Sequence, residues 1–179
     1  MNKAIELTSD RLVLKPISLD HASDTYVSWM NDAEVNKYLD GSGNYSMEKL
    51  LTYLNEVVKK DLYFWAIHLK GSNKHIGNIK IDSISERNGI GVYGILMGDR
   101  EEWGKGYAKE ASQMVIDFCF KKLGLRKISL GVIEDNVAAV QLYDKLGFIQ
   151  EGLLLKHGSY DGKYCNSVQM SIFNPEFKY

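Results

Sequence analysis

The sequence predicts an α+β domain built on a mixed, mostly antiparallel sheet. Three observations point to it. From Leu62 to Met97, strand-like segments follow one another across two short turns, as in a meander. From Ile90 to Ile133 the chain runs strand, glycine-bearing turn, long helical pattern, strand, so the strands on either side of that helix should be parallel. Two long strand-like runs then flank Tyr160-Asp161-Gly162 as a last hairpin. The total is about seven strands flanked by about four helices, in one domain over residues 1–179.

Arg11 to Ile17 alternates in the manner of a first strand, with Pro16 marking its end or an edge. Ser18 is a suitable cap for a helix that carries Ala22, Tyr26 and Trp29 at helical spacing. Asn31-Asp32 interrupts it, a short turn covers Ala33 to Leu39, and Gly41-Ser42-Gly43-Asn44 is a loop. Ser46 caps a helix from Met47 to about Lys60, whose apolar stripe is Leu50, Leu51, Leu54, Val57 and Val58. Leu62–Leu69 and His75–Ile84 are strands joined by Gly71-Ser72-Asn73-Lys74. Glu86-Arg87-Asn88-Gly89 turns the chain into Ile90–Met97, since Asn-Gly is a strong hairpin signal. Ala108 to Leu123 is a helix with Ala111, Val115, Phe118 and Cys119 on one side, closed by Gly124. Lys127–Ile133 is the next strand. Asn136 caps a helix through Leu146 that Gly147 stops, and Phe148–Leu155 and Lys163–Phe173 make the last hairpin.

Composition excludes several classes. Hydrophobic residues make up 45% of the chain and charged ones 25%, at a net charge of −1. No field of one sign invites a nucleic acid or an anionic membrane. No run approaches a membrane span, and Met-Asn-Lys-Ala-Ile-Glu has no apolar leader region, so no signal peptide is expected. Cys119 and Cys165 lack metal-like spacing; Cys119 reads as a small core residue, and a reducing cytoplasmic location is expected. His21, His68, His75 and His157 are scattered along the chain, so no metal site is expected.

The turn Trp103-Gly104-Lys105-Gly106-Tyr107-Ala108 is the most informative stretch. A glycine-bearing turn between a strand and a helix leaves backbone N–H groups unpaired at the positive end of a helix dipole, and glycines let a phosphate come close. No Gly-Lys-Ser/Thr closes it, and the three-glycine dinucleotide fingerprint is absent. On its own such a turn reads equally as a tight connection.

Together with Glu134-Asp135-Asn136-Val137-Ala138-Ala139-Val140-Gln141-Leu142-Tyr143-Asp144-Lys145-Leu146-Gly147-Phe148, this turn resembles the GNAT superfamily of acyl-CoA-dependent N-acetyltransferases. Trp103 stands where the family loop usually has Arg or Gln. With the opening Asp10-Arg11-Leu12-Val13-Leu14-Lys15-Pro16-Ile17, and with Glu151-Gly152-Leu153 and Tyr160-Asp161-Gly162-Lys163-Tyr164, it is similar to the ribosomal-protein alanine acetyltransferase branch, the RimJ/RimL type. The resemblance implies a GNAT fold with a split between its two parallel strands, and transfer of acetyl from acetyl-CoA to an amine. By the same resemblance Leu96, Met97 and Gly98 hold the pantetheine arm through main-chain groups and polarise the thioester. Trp103, Gly104, Lys105, Gly106, Tyr107 and Ala108 form the pyrophosphate loop. Asn136 reaches the cofactor as well as capping its helix, or caps alone. Lys145 approaches the 3′-phosphate or is a plain surface lysine. Tyr143 takes the position of the general acid. A phenol with a pKa of about 10 is protonated at neutral pH and can donate to a departing thiolate. The early helices overhang the acceptor site in this family, which makes Trp29, Glu34, Tyr38 and Tyr45 substrate-side candidates; the aromatics also read as packing and Glu34 as a solvated charge.

The base does not follow from the motifs. Many relatives have Glu on the strand that feeds the loop, where this chain has Val92, and no carboxylate lies between Ile90 and Gly98. Asp82, Glu86, Asp32 and Glu34 remain. An amine of pKa about 10.4 carries a handicap on the order of 4 kcal/mol at pH 7, against about 1 kcal/mol for an α-amine. A missing carboxylate therefore hints at a less basic acceptor, a peptide or protein N-terminus or a nucleotide-linked amino sugar. Polyamines are the alternative, although the early helices show no acidic cluster beyond Asp32, Glu34 and Asp40. A non-catalytic acyl-CoA-binding module is the reading from another class. The resemblance also allows a homodimer paired through the last hairpin.

Overall fold

A computed structural model describes residues 4–39, 44–60, 62–160 and 162–178. Asp40, Gly41-Ser42-Gly43 of the expected loop, and Asp161 in the last turn lie outside the described residues. The strands are β1 (Leu7–Thr8), β2 (Leu12–Pro16), β3 (Tyr63–Leu69), β4 (His75–Ser85), β5 (Ile90–Met97), β6 (Lys127–Ile133), β7 (Ile149–Tyr160) and β8 (Lys163–Phe173). They form one 8-stranded sheet in the order β1-β2-β3-β4-β5-β6-β8-β7. The helices are α1 (Asp24–Asn31), α2 (Ala33–Asn36), α3 (Met47–Lys59), α4 (Tyr107–Lys121) and α5 (Val137–Leu146). No helix among the described residues is long and apolar enough to cross a membrane.

The architecture matches the expected one, with differences at its edges. The eighth strand is β1, two residues paired to β2 as Leu7↔Leu14 and Thr8↔Val13. The segment expected as a turn after Asp32 contains a helical turn, α2, because the Asp32 carboxylate accepts from the Glu34 N–H. Ser18 does not cap α1. It opens a 3-10 turn over Leu19–His21, and Ser23 caps α1 by accepting from the Tyr26 N–H. α4 starts at Tyr107 and stops at Lys121, short of Gly124. β7 runs on to Tyr160, because two register shifts and a left-handed Lys156 (φ 52°) absorb the irregular stretch within it.

Adjacent strands pair antiparallel except β5 and β6, whose parallel pairing covers only Ile90↔Lys127, Gly91↔Ile128 and Val92↔Ser129. Beyond Val92 the two strands separate. β5 continues against β4 to Met97, and β6 continues against β8 to Ile133. The expected split is therefore present, and backbone groups that face it have no ladder partner.

Strand alternation gives the sheet two different faces. On one, Trp65, Ile67, Ile79, Ile81, Tyr93, Ile128, Leu130 and Met170 are buried beneath α4 and α5, with Val115, Ile116 and Cys119 from α4. On the other, Ile17, Phe64 and Ala66 pack against Tyr26, Trp29, Leu50, Leu54 and Val57 of α1 and α3. Register places Lys80 and Gly94 on Phe64's face, and Asp82 with Val92 beside them. This part of the second face is not covered: Lys80, Asp82 and Gly94 are half-buried and Val92 and Gly131 exposed. The split is thus a passage between a face carrying α5 and an open, polar one.

Candidate active site

The loop after β5 is built for positive φ. Asp99 caps a 3-10 turn over Arg100–Glu102, and Gly104 (φ 74°) and Gly106 (φ 83°) then adopt left-handed backbone. Gly106 is the N-cap of α4 and provides no side-chain cap, whereas α1, α2, α3 and α5 are capped by Ser23, Asp32, Ser46 and Asn136. The first N–H groups of α4 are therefore open to an external acceptor. A Cβ at Gly104 would meet nothing within 4 Å, so the approach to the loop is clear. This fits a pyrophosphate.

Lys105 does not aim at that space. Its ammonium donates to Glu102 Oε2 at 2.8 Å, and Lys74 contacts Glu102 at 3.3 Å and Asp99 at 2.7 Å. Lys105 and then Lys74 hold the Glu102 carboxyl below its usual range. Lys105 thus braces the loop through its side chain. Trp103 is 42% exposed, and its indole N–H donates to the Met97 carbonyl at 2.9 Å, tying the loop to the end of β5. On the outer side, Arg11 donates from Nη1 to the Lys105 carbonyl at 3.0 Å and from Nε to Glu110 at 2.7 Å. Neither Arg11 nor Glu110 stood out as a site residue in the sequence; they are 99 positions apart, and no local pattern marks them. Beyond Arg11 lies an open concavity of about 490 Å³ that also touches Asp10, Lys70, Ser72 and Tyr107.

Two tyrosines meet near the split. Tyr143, on α5, is 7% exposed and packs edge-on against Tyr93, with ring centroids 5.8 Å apart, and against Phe148 at 5.7 Å. The Tyr93 hydroxyl is held 2.6 Å from Ser112 Oγ, and Ser112 donates its own hydrogen to the Ala108 carbonyl, so the phenol hydrogen of Tyr93 is committed to Ser112. The Tyr143 hydroxyl has no such partner among the described residues. Burial pushes its phenol up to about 12, so it stays protonated through the neutral range. Asn136 accepts from the Ala139 N–H through Oδ1 at 3.3 Å, which leaves its amide N–H₂ for another partner. Leu96 and Met97 are half-buried at the end of β5, and Lys145 is exposed on α5.

The substrate-side candidates separate. Trp29 is 5% exposed and lies against Gly98, where a Cβ would collide with its indole. It supports the end of β5 from below rather than lining an open surface. Glu34 is exposed on α2. The Tyr38 hydroxyl donates to the Asp135 carbonyl at 3.1 Å, and the Tyr38 carbonyl accepts from the Tyr160 hydroxyl at 3.1 Å. Tyr38 thus ties the early helical region to the segment before Asn136 and to the last hairpin. Tyr45 is half-buried and its backbone N–H donates to Asn31 Oδ1 at 2.8 Å.

Of the carboxylates considered as base, Asp32 is occupied by the α2 cap and by Arg100 at 3.4 Å, and Glu86 and Glu34 are exposed. Asp82 is different: it lies directly across from Val92, on the open face, paired with Lys80 at 2.5 Å. One reading from spacing is corrected. His21, His68 and His75 are not scattered in space. The β3–β4 hairpin stacks His68 on His75 at 5.0 Å, and the 3-10 turn brings His21 to 5.4 and 5.5 Å from them. Ring nitrogens of His68 and His75 lie 2.9 Å from the Asn73 and Gly77 carbonyls.

The chain matches the acetyltransferase (GNAT) domain model over residues 11–149. It is 29% identical over 177 residues to N-acetyltransferase p20 of Bacillus licheniformis, covering 96% of this chain and 97% of that protein. Solved structures share its fold, two among them being the following. Spermidine N-acetyltransferase from Vibrio cholerae, in complex with CoA and spermine, has a TM-score of 0.84 at 23% identity, over 93% of this chain and 97% of that one. Ribosomal-protein-S5-alanine acetyltransferase from Vibrio fischeri has a TM-score of 0.80 at 22% identity, over 98% of this chain and 100% of that one.

Proposed function

This chain belongs to the GNAT acetyltransferase family and is an acetyl-CoA-dependent N-acetyltransferase; from that premise we propose that its acceptor is a weakly basic primary amine, a peptide or protein N-terminus or a nucleotide-linked amino sugar. The observation that carries the mechanism is the arrangement about the split. An uncapped helix N-terminus lies past one end, a phenol with an unengaged hydroxyl lies on one face, and a polar open surface lies on the other.

Acetyl-CoA supplies an acyl thioester. The N–H groups from Gly104 to Ala108 hold its pyrophosphate, and main-chain groups of Leu96, Met97 and Gly98 line the pantetheine arm. The amine approaches from the open face and attacks the thioester carbonyl, forming the C–N bond. A backbone N–H facing the split stabilises the oxyanion. The C–S bond breaks, and Tyr143 gives its proton to the sulfur. Asn136 reaches the donor with its free amide, and Lys145 flanks the same helix. The amine gives up its proton on the open side, where Asp82 is the carboxylate best placed to take it, directly or through water. Trp29, Glu34 and Tyr38 shape the acceptor side, Trp29 by holding up Gly98 and Tyr38 by closing the early helices onto the segment before Asn136.

The absence of an acidic cluster on the described part of the early helices favours this acceptor class over polyamines, since Asp32 is neutralised by Arg100. β7 is an edge strand with Leu155 72% exposed, and on the neighbouring β8 Tyr164, across from Ser159, is 75% exposed, which supports pairing of two copies there. Two free cysteines, one buried in the core, suit a reducing cytoplasm. The experiment is acetyl-CoA-dependent thiol release across N-terminal peptides, nucleotide-linked amino sugars, polyamines and small amines. Release with peptides or amino sugars supports the proposal, and preference for spermidine overturns the acceptor class. Acetyl-CoA binding with no release from any amine would favour a non-catalytic binding module.

A further inference from the structure

We infer that Arg11, locked in place by Glu110, is a positioning residue for the phosphate loop, setting the direction of the N–H group that the loop offers to the donor. This rests on the reading of Gly104–Ala108 as the pyrophosphate site.

The argument starts from one peptide plane. Arg11 Nη1 donates to the Lys105 carbonyl at 3.0 Å. In a trans peptide the carbonyl of one residue and the N–H of the next point in opposite directions. Fixing the Lys105 carbonyl outward on Arg11 therefore aims the Gly106 N–H inward, into the cradle. Gly106 needs this help. At φ 83° it is an exposed glycine, and glycine can leave that conformation as easily as it adopts it.

The guanidinium is itself held by several partners. Its Nε donates to Glu110 Oε2 at 2.7 Å, and it lies over the Tyr107 ring at 4.6 Å. Its position is close enough that a Cβ on Gly106 would be 3.6 Å from Nη2. Glu110 accepts in addition from Ser9 Oγ at 2.6 Å and from the Arg11 N–H at 3.1 Å. The backbone of Arg11 is anchored in turn, its carbonyl accepting from the Lys70 N–H at 2.8 Å. The pair also balances charge. Glu110 is in the first turn of α4, where a bare carboxylate would compete with an incoming phosphate for the helix dipole. Arg11 cancels that charge and leaves the dipole for the ligand.

The test is binding of acetyl-CoA by titration calorimetry, beside binding of pantetheine, which lacks the phosphates, followed by NMR. Arg11→Met should weaken acetyl-CoA by about ten- to thirty-fold, the lower part of the range for a lost charge-assisted hydrogen bond, because the lost bond acts on the donor only through the loop. Pantetheine should be held within about twofold, since a positioning role acts only through the phosphates. Arg11→Met/Glu110→Gln should bind acetyl-CoA better than Arg11→Met alone, because the uncompensated carboxylate is gone. Acetyl-CoA affinity within twofold of wild type in Arg11→Met, or equal losses for both ligands, would overturn the inference. If Arg11→Met does not fold, Arg11→Lys keeps the charge without the fork, and wild-type affinity there would overturn it as well. A wild-type protein that binds no acetyl-CoA would instead remove the phosphate-site reading, and that is seen before any variant is made.

Discussion

Replacing Tyr143 with Phe removes one oxygen from a ring that is otherwise kept. The ring is packed between Tyr93 and Phe148 with 7% of its surface exposed, so its apolar contacts survive the change. The hydroxyl has no protein partner among the described residues, so no donor or acceptor is orphaned. Stability should move by less than about 0.5 kcal/mol. The expected loss is in turnover. General acid catalysis contributes about 10²–10⁴-fold. A thiol of pKa about 8.5 is a fair leaving group even unprotonated, which argues for the lower end, about a hundredfold or 2.7 kcal/mol. The phenol, raised to about 12 by burial, should add no descending limb to the pH profile below about pH 11. The deficit of the variant should shrink at high pH, where thiolate departs without a proton. The assay is single-turnover thiol release with a saturating acceptor, beside calorimetry with acetyl-CoA. Tyr93→Phe is the control. It removes the hydrogen bond that Ser112 accepts while leaving the one Ser112 donates to Ala108, which should cost about 0.5–1.5 kcal/mol in stability, with turnover largely kept. Unchanged kcat in Tyr143→Phe, or a fall in acetyl-CoA affinity equal to the fall in rate, would refute the assignment of the acid.

Three further outcomes are expected. Gly106→Ala puts a Cβ on a residue at φ 83°, a backbone cost of about 1–2 kcal/mol, and should lower the melting temperature by several degrees and weaken acetyl-CoA by about tenfold; unchanged binding in calorimetry would speak against the loop as the anion site. Burial holds His75 down to about 4, whereas the unfolded chain binds that proton near 6.5. The unfolded state therefore takes up more protons between those values, so stability is full above pH 6.5 and falls as pH drops toward 4, by up to about 3 kcal/mol. Melting temperatures from pH 5 to 7, above the range where most carboxylates titrate, should show this slope, and a curve as steep in His75→Gln would exclude the histidine as its source. Leu155→Glu should turn a dimer into a monomer in sedimentation analysis, and a wild type already monomeric at high concentration would remove the edge-strand interface.

What could be read from the chain was whatever a single residue type or a short spacing encodes. Gly104 and Gly106 marked the turn between strand and helix, Gly147 marked a helix stop, and Ser46 and Asn136 marked helix starts, because the physical requirement at those places is satisfied locally. Ser18 and Ser23 are both good caps, and only packing decides that α1 begins at the second. β1 is too short to carry a pattern and exists by pairing with β2. The site divides along the same line. The cradle and Tyr143 lie in continuous motifs. Arg11 and Glu110, the three stacked histidines and the Asp82↔Val92 register are relations between distant segments. Trp29 was legible as an aromatic at helical spacing, but its contact with Gly98 was not.

The brevity of the β5–β6 pairing has a mechanical consequence. Three paired positions join five strands on one side to three on the other, so the sheet is two plates hinged on a narrow strip. An extended ligand with amides along its length, lying in the gap, would supply the missing rungs and stiffen the hinge. Amide exchange in Tyr93–Met97 and Leu130–Ile133 would then slow together on binding, although these segments lie on separate plates. Donor occupancy would be felt across the whole sheet, out to the apolar edge at β7 where a second copy can meet it.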